Sequence, residues 1–323
     1  MIRHCAMMTG ILTMTALAVP LQAAAPGESL RPLLRDAQLV QLAAPVAAAQ
    51  EVETGDDAGL SDWVLSFRPR ALAEGIDPDI FDRALDTVSY DPEVIRRDRN
   101  QSEFTKTIWD YLDTATSDLR VQNGQKALAQ WQRTLDEIEA KYGVKKEVVT
   151  AIWGLESAYG SFRGSDNVIN SLATLAYDAR RAEFFEAELL KALRILQAGD
   201  TEAEQMVGSW AGAMGHTQFM PSSFLAHAVD WDGDGRRDIW GDDPSDALAS
   251  TAAYLKHFGW TTGQPWGVEV ALPEGFDYLL ADREVTKTPA EWAELGVTGL
   301  DGKTVGDHGP ASILLPAGAQ GAA

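Results

Sequence analysis

The chain is 323 residues long, room for one large domain or two ordinary ones, and 45% hydrophobic against 23% charged residues argues for a packed core rather than disorder. Its 48 acidic and 27 basic residues leave a formal charge of -21, which repels nucleic acid and anionic lipid and suits cations instead. The one cysteine, Cys5, falls in a leader expected to be removed, which excludes disulfides, thiolate-held zinc and a cysteine nucleophile from the mature chain. That leader spans residues 1–25: Arg3 and His4 precede an apolar stretch from Cys5 to Val19, and Leu21-Gln22-Ala23-Ala24-Ala25 offers small residues for cleavage. A membrane anchor is the alternative. However, Thr9, Gly10, Thr13, Thr15 and Pro20 interrupt the run, which is short of the ~20 residues a spanning helix needs. No cysteine stands at the cleavage site to take a lipid, so a soluble exported protein without a membrane anchor is expected.

Residues 26–60, rich in Ala, Pro, Gln and Gly, read as a flexible lead-in, and residues 61–323 as one domain. Within it, Trp63, Phe67, Ala71 and Leu72 form a helical stripe that Gly75 stops, and Asp77-Pro78 opens a second helix carrying Ile80, Phe81, Ala84 and Leu85. A longer stretch from Asp118 to Tyr142-Gly143 carries Leu119, Leu128, Trp131, Leu135 and Ile138. Residues 180–198 repeat the spacing with Phe185, Leu189, Leu193 and Leu196. Strand signals are confined to the region after Gly263, where Val268-Glu269-Val270-Ala271-Leu272 alternates weakly, and Ala311 to Pro316 reads as a strand or packed segment. The fold class is mainly α with a small β element near the end.

Three segments carry chemistry. In Val148 to Gly160, Glu156 ends an otherwise apolar helix among Trp153, Leu155 and Tyr159, where lost hydration raises a carboxyl pKa toward the range of a general acid. A glutamate at a helix end pointing into water is the plain alternative. In residues 209–223, Ala211, Gly212, Ala213 and Gly215 allow close backbone approach, and Ser209 and Gln218 are neutral polar groups suited to sugar hydroxyls and acetamides. The same run also fits a tight helix–helix contact, and His216 and His227 are expected to be structural or surface residues. In Asp230-Trp231-Asp232-Gly233-Asp234-Gly235-Arg236, carboxylates at positions one, three and five and glycine at six follow an EF-hand calcium loop. The carbonyl of Arg236 would face the ion. Position twelve is Gly241, so Asp242, Asp243 or Asp246 must close the shell; a solvated acidic turn is the alternative.

Taken in order, these segments resemble the lytic murein transglycosylase B family (glycoside hydrolase family 103). The likeness runs through Ile152-Trp153-Gly154-Leu155-Glu156-Ser157 with Tyr159-Gly160, Asn170 to Leu175, Arg180-Arg181-Ala182-Glu183-Phe184-Phe185, Ser209 to Gly215, Gln218 to Ser223, the acidic loop, and Ala247 to Trp260. It covers roughly residues 60 to 316. The resemblance implies a lysozyme-like fold with an inserted EF-hand-like loop. It also implies cleavage of the β-1,4 bond between N-acetylmuramic acid and N-acetylglucosamine in peptidoglycan, leaving a 1,6-anhydromuramic acid end. It makes Glu156 the single acid and then base. Ser209, Gln218, Tyr254, Arg180 and Arg181 become substrate-binding residues, and Asp230, Asp232, Asp234, the Arg236 carbonyl and Asp246 the shell of a structural calcium or sodium ion. No cofactor for the chemistry is implied; glycan strands are the expected partner, with cell-wall enzymes as further ones. The family's C-terminal portion extends beyond Ala323, so the domain is expected to be truncated there. A muramidase using water, and a non-catalytic glycan-binding or scaffold protein, are the competing readings.

Overall fold

Asp56, in extended backbone, accepts the Gly59 N–H at 2.7 Å and so starts α1 (Asp57–Ala73) inside the span expected to be a flexible lead-in. The computed structural model describes residues 55–100, 108–316 and 318, within the unit Ala49–Ala323, so the expected signal lies outside the described residues. Leu60, Phe67 and Ala71 are the buried stripe of α1, and left-handed Gly75 (φ 87°) stops it as its sequence predicts. Asp77 caps α2 (Pro78–Leu85) and Asp91 caps α3 (Pro92–Arg99), each with proline where its missing N–H costs nothing. After α4 (Ile108–Ala115), the long helical stretch from Asp118 to Tyr142 is divided in two. α5 (Asp118–Gln130) and α6 (Gln132–Tyr142) part at half-buried Trp131 (φ -104°, ψ 18°). The break lets α5 pack on α7 (Lys146–Ser157) while α6 packs on α11 (Ser245–His257), which a straight helix does not reach together.

β1 (Asp166–Asn167) leads into α8 (Val168–Tyr177), which Asn167 caps. Residues Val168, Ile169, Leu172, Ala173, Leu175 and Ala176 of α8 are all buried, so it is apolar nearly all round and runs through the interior. Against it lie α9 (Ala182–Ala198) and, through α9, α10 (Pro221–His227). Phe185, Leu189 and Leu193 of α9 are buried there, each contributing about 1.5–3 kcal/mol of transfer free energy. β2 (Val207–Gly208) pairs antiparallel with β1, Asp166 opposite Gly208 and Asn167 opposite Val207. The β element near the end is smaller than its sequence predicts. β3 (Val270–Ala271) pairs with β4 (Thr298–Gly299), while Val268 is exposed; between them α12 (Pro289–Glu294) starts from a Thr288–Glu291 capping box.

Three apolar clusters result. The first gathers α1, α2, α3, α8, α9 and α10, the second gathers α5, α6, α7 and α11 around Leu135, Ile138, Val149, Trp153 and Leu248, and the third is Phe276, Trp292, Val297 and Ile313. Ile313 fills the third, so Ala311 to Pro316 is the packed segment its sequence predicts, with Ala311 bridged to Lys287. Trp153 belongs to the second cluster, whereas Met214 and Phe219, on either side of His216, belong to the first. The end of α7 therefore meets the 206–219 segment at the seam between two cores. Among the described residues no helix is long and apolar enough to cross a membrane.

Candidate active site

Helix α7 buries Val149, Thr150, Trp153, Gly154 and Ser157, which leaves Glu156 off the packed face and reachable by solvent. Protein stands close around the carboxylate, and this burial raises its pKa above the ordinary glutamate value. The negative end of the helix dipole acts in the same direction. No hydrogen bond or ion pair among the described residues claims the Glu156 carboxylate, so both oxygens are free for a ligand.

Immediately after Glu156 the backbone makes an unusual turn. Ala158 (φ 49°), Tyr159 (φ 60°) and Gly160 (φ 80°) are all left-handed, a conformation that costs a side-chain-bearing residue on the order of 1 kcal/mol. Packing compels it. The Tyr159 ring lies between two glycines: a Cβ at Gly124 would stand 2.6 Å from its hydroxyl, and one at Gly154 2.5 Å from its Cζ. The hydroxyl donates to the Arg120 carbonyl at 2.8 Å, and the ring meets Trp153 edge-on at 5.8 Å. Ser157 Oγ donates to the His216 carbonyl at 2.6 Å and accepts the Gly160 N–H at 3.0 Å. The turn is thereby tied to α5 on one side and to the 206–219 segment on the other.

The chain after the turn runs to β1 past Gly164, whose backbone lies so close to Gly208 that a Cβ would fall 2.0 Å from the Gly208 oxygen. Ser209 comes next in the chain. Its Oγ accepts the N–H groups of Ala213 at 3.1 Å and Ala211 at 3.3 Å, which folds the small-residue run into a tight loop rather than a helix–helix contact. The Ser209 hydroxyl proton is donated to nothing among the described residues. Gln218, left-handed at φ 52°, donates through Nε2 to the carbonyls of Gly215 (2.8 Å) and Arg163 (3.2 Å). These bonds fix the amide and leave Oε1 as an acceptor. Phe219 packs on Tyr254 at 5.7 Å, and Phe258 and His227 lie 4.7 and 5.0 Å from the same ring. Glu156, Ser209, Gln218 and Tyr254 thus stand on segments that are joined to one another by direct contacts.

Arg180 and Arg181 lie between α8 and α9, and both are already paired. Asp98 at the end of α3 is buried, takes Arg180 Nη1 at 2.9 Å on one oxygen and binds Arg181 Nη2 on the other. Arg180 also donates to the Asp98 carbonyl at 2.7 Å. Two guanidinium groups on one carboxylate leave a positive surplus, and about half of each arginine remains exposed.

In the acidic loop, carboxylate oxygens of Asp230, Asp232 and Asp234 lie within 4.8 Å of one another. The loop is folded by its own amides: Asp230 accepts from Gly233 (2.7 Å) and Gly235 (3.0 Å), Asp232 from Asp234, and Asp234 from Arg236. Gly235 (φ 93°) makes the sharp turn expected at the sixth position. A carboxylate oxygen that accepts one N–H keeps a lone pair for a cation, so the donor set fits a hard divalent ion. Asp246 is buried beside the loop, each of its oxygens accepting one N–H, from Trp231 and from Asp238, both at 2.8 Å, and the group of three oxygens within 4.8 Å is formed without it. Burial, with the charges of Asp232 and Asp230 adding to it, pushes its pKa up to about 6. Arg237 clamps the far side, binding Asp200 through N, Nε and Nη2.

The family comparison accords with this geometry. The transglycosylase SLT domain matches residues 59–323. The chain is 36% identical over 201 residues to the membrane-bound lytic murein transglycosylase B of Escherichia coli (strain K12), covering 60% of this chain and 52% of the relative, so it spans about half the length of that curated relative. SltB3 from Pseudomonas aeruginosa, crystallised in complex with NAG-NAM-pentapeptide, is 55% identical with a TM-score of 0.75 over 81% of this chain and 71% of its own. Escherichia coli Slt35, solved in complex with calcium, is 29% identical with a TM-score of 0.68 over 84% of each chain. With a mainly helical fold that matches these lysozyme-like structures and a family match over most of its length, the chain belongs to the transglycosylase SLT domain family.

Proposed function

We propose that the protein is a periplasmic peptidoglycan lytic transglycosylase that cleaves the β-1,4 bond between N-acetylmuramic acid and N-acetylglucosamine with Glu156 as its one catalytic carboxylate. The observation that carries this is a carboxylate that no described residue pairs, open to solvent on one side, crowded enough by protein to raise its pKa, and held at the start of a rigid turn. Its raised pKa shifts it toward the protonated form, which a general acid needs to give a proton to the leaving glycosidic oxygen. As the C1–O bond breaks, the muramoyl acetamide stabilises the positive charge at C1. The ionised Glu156 then takes the proton of the same sugar's C6 hydroxyl while that oxygen bonds to C1. The 1,6-anhydro ring closes, the proton count balances, and no water is consumed. Attack from within one bound sugar carries the large effective concentration of an intramolecular reaction.

A two-carboxylate glycosidase places its second group about 5 Å away, where its charge would raise the first pKa. Among the described residues no neighbouring carboxylate adds to the raised pKa of Glu156, which supports the substrate-assisted route over a hydrolytic muramidase. Ser209 would donate to, and Gln218 Oε1 accept from, the sugar's polar groups, with Tyr254 on the cleft wall. SltB3 was crystallised with a disaccharide pentapeptide; here the exposed, positively surplus side of Arg180 and Arg181 would meet stem-peptide carboxylates. Calcium, present in the Slt35 structure, would sit among Asp230, Asp232, Asp234 and the Arg236 carbonyl. It would fix the loop and supply no chemistry. Residues 1–25 would direct export and be cleaved.

The test is mass spectrometry of soluble products from purified peptidoglycan. Wild type is expected to release muropeptides one water lighter than hydrolytic ones, and Glu156→Gln to lower release by about 10²–10⁴-fold. Full-mass reducing ends would make the protein a muramidase. Glycan that binds both proteins without any release would make it a binding protein.

A further inference from the structure

We infer that His216 is a positioning residue for Glu156, holding the left-handed turn next to the acid and joining it to the end of the acidic loop; this rests on Glu156 being the acid. His216 is 3% exposed, and both ring nitrogens are used. Trp153 Nε1 donates to Nδ1 at 3.1 Å, and Nε2 stands 2.8 Å from the Gly241 carbonyl. Arg163 Nη1 also stands 3.3 Å from Nε2 but donates to the same Gly241 carbonyl; an indole N–H can only donate, so Nδ1 accepts, and a neutral ring then carries its proton on Nε2, aimed at the Gly241 carbonyl. The ring is packed against the turn itself, since a Cβ on Gly160 would lie 2.5 Å from His216 Cε1. The backbone of the same residue takes the Ser157 hydroxyl, adjacent to Glu156.

The connection extends to the substrate side. Gly241 O, the acceptor of His216, also accepts from Arg163 Nη1, and the Arg163 carbonyl accepts from Gln218 Nε2 at 3.2 Å. One carbonyl at the end of the acidic loop therefore holds both the residue under the Glu156 turn and the residue that orients the Gln218 amide. Ala158 and Tyr159 are in a costly conformation, and such a turn persists only where its surroundings over-determine it. His216 supplies three of those constraints: the ring contact, the bond to Trp153 at the base of the turn and the Ser157 bond.

The experiment compares wild type, Glu156→Gln, His216→Leu and His216→Gln, measuring peptidoglycan turnover, pelleting with peptidoglycan, and melting. It adds the ¹⁵N spectrum of the wild-type imidazole. Leucine fills the space and makes neither ring bond, whereas the glutamine amide can donate to Gly241 O. His216→Leu is expected to lose about tenfold or more in kcat with KM within about twofold, and His216→Gln to regain most of it. The ¹⁵N spectrum is expected to show the neutral Nε2–H form. A folded His216→Leu with wild-type turnover, an equal loss in His216→Gln, or a spectrum of the Nδ1–H form overturns the inference. Should His216→Leu fail to fold, His216→Gln against wild type and the spectrum decide. If Glu156→Gln is dead while His216→Leu turns over normally, this inference alone fails. If Glu156→Gln turns over normally, the reading of Glu156 fails and takes this one with it.

Discussion

The Glu156 turn and the acidic loop are both irregular segments closing onto the same carbonyl, Gly241 O, yet they are held by opposite means. The turn at 157–160 is fixed by neutral hydrogen bonds and ring packing: Tyr159 between two glycines, Ser157 on His216, Trp153 on His216. Two arginines reach its edges, Arg120 donating to the Gly154 carbonyl and Arg163 to Gly241 O, but no carboxylate holds the turn, and Glu156 is left unpaired. The loop at 230–246 is held almost entirely by carboxylates, with Asp230, Asp232 and Asp234 accepting the loop's own amides, Asp246 bracing it from behind and Asp200 clamping Arg237. The difference teaches which region should respond to ions. Three converging anions repel one another and gain from a cation, whereas the turn is organised before any ligand arrives.

The sharpest break in this comparison is Arg237→Ala. Asp200 is almost wholly buried and takes two guanidinium bonds and one backbone N–H from Arg237; alanine keeps only the backbone bond, so the substitution leaves a buried charge without its counter-ion. Such losses cost 3–5 kcal/mol, and because a quarter of the Arg237 side chain is exposed (24%), about 3 kcal/mol is expected, read by urea unfolding. A loss under about 1 kcal/mol would mean that the clamp is slack. Next is the cation. Calcium at one hundred times its dissociation constant should stabilise the fold by about 2.7 kcal/mol, and a chelator or Asp232→Asn should remove the gain. Scanning calorimetry with and without calcium checks it, and a melting temperature indifferent to calcium would reduce the loop to a solvated acidic turn.

Gly154→Ala turns the test on the other region. The new Cβ would lie 2.5 Å from the Tyr159 ring, which cannot retreat because Gly124 bounds it on the other side. Overpacking of this kind costs about 1–3 kcal/mol, and the turn must shift to relieve it. Turnover should fall further than stability explains, with calcium dependence unchanged. If calcium response and turnover fell together, the two regions would be one unit rather than two.

Legibility in the sequence divides along the same line. Stripes such as Phe185, Leu189 and Leu193 announce their helices because burial imposes a period on neighbouring residues, and Gly75 and Gly143 mark stops because each takes a left-handed φ. The Asp-Gly alternation of the loop is legible because all its ligands are local. Glu156 stands out as a carboxylate in an apolar run. The break at Trp131 is not legible, because it answers to what α5 and α6 pack against. Nor are the partners of the turn: Trp153 and His216 are 63 residues apart, and His216 and Gly241 25, with no periodicity to link them. Asp246 can be named but not oriented, since sequence does not say whether a carboxylate faces an ion or two backbone amides. Arg180 and Arg181 are recognisable as adjacent cations, while the buried Asp98 that claims both lies on another helix.

The smallest effect concerns Glu156 itself. Burial raises its folded pKa above the value in the unfolded chain, so the fold binds that proton more tightly than the unfolded chain does. Linkage then sets the sign: the stabilising contribution is full below the unfolded pKa, falls as pH rises through the folded pKa, and beyond it the ionised carboxylate is carried at a cost. Glu156→Gln keeps the shape and never ionises. The mutant should therefore melt with wild type near pH 4 and above it near pH 7.5, by no more than about a degree or two because solvent still reaches the group. Activity adds the second half of the test. If the protonated form is the acid, turnover by wild type should decline on the alkaline side at a pH above the ordinary glutamate range, where the mutant's advantage in melting is complete. A melting difference that stayed flat from pH 4 to 7.5 would mean that the turn leaves Glu156 fully hydrated, and the contrast between a neutral, pre-organised turn and a charged, ion-seeking loop would lose its catalytic half.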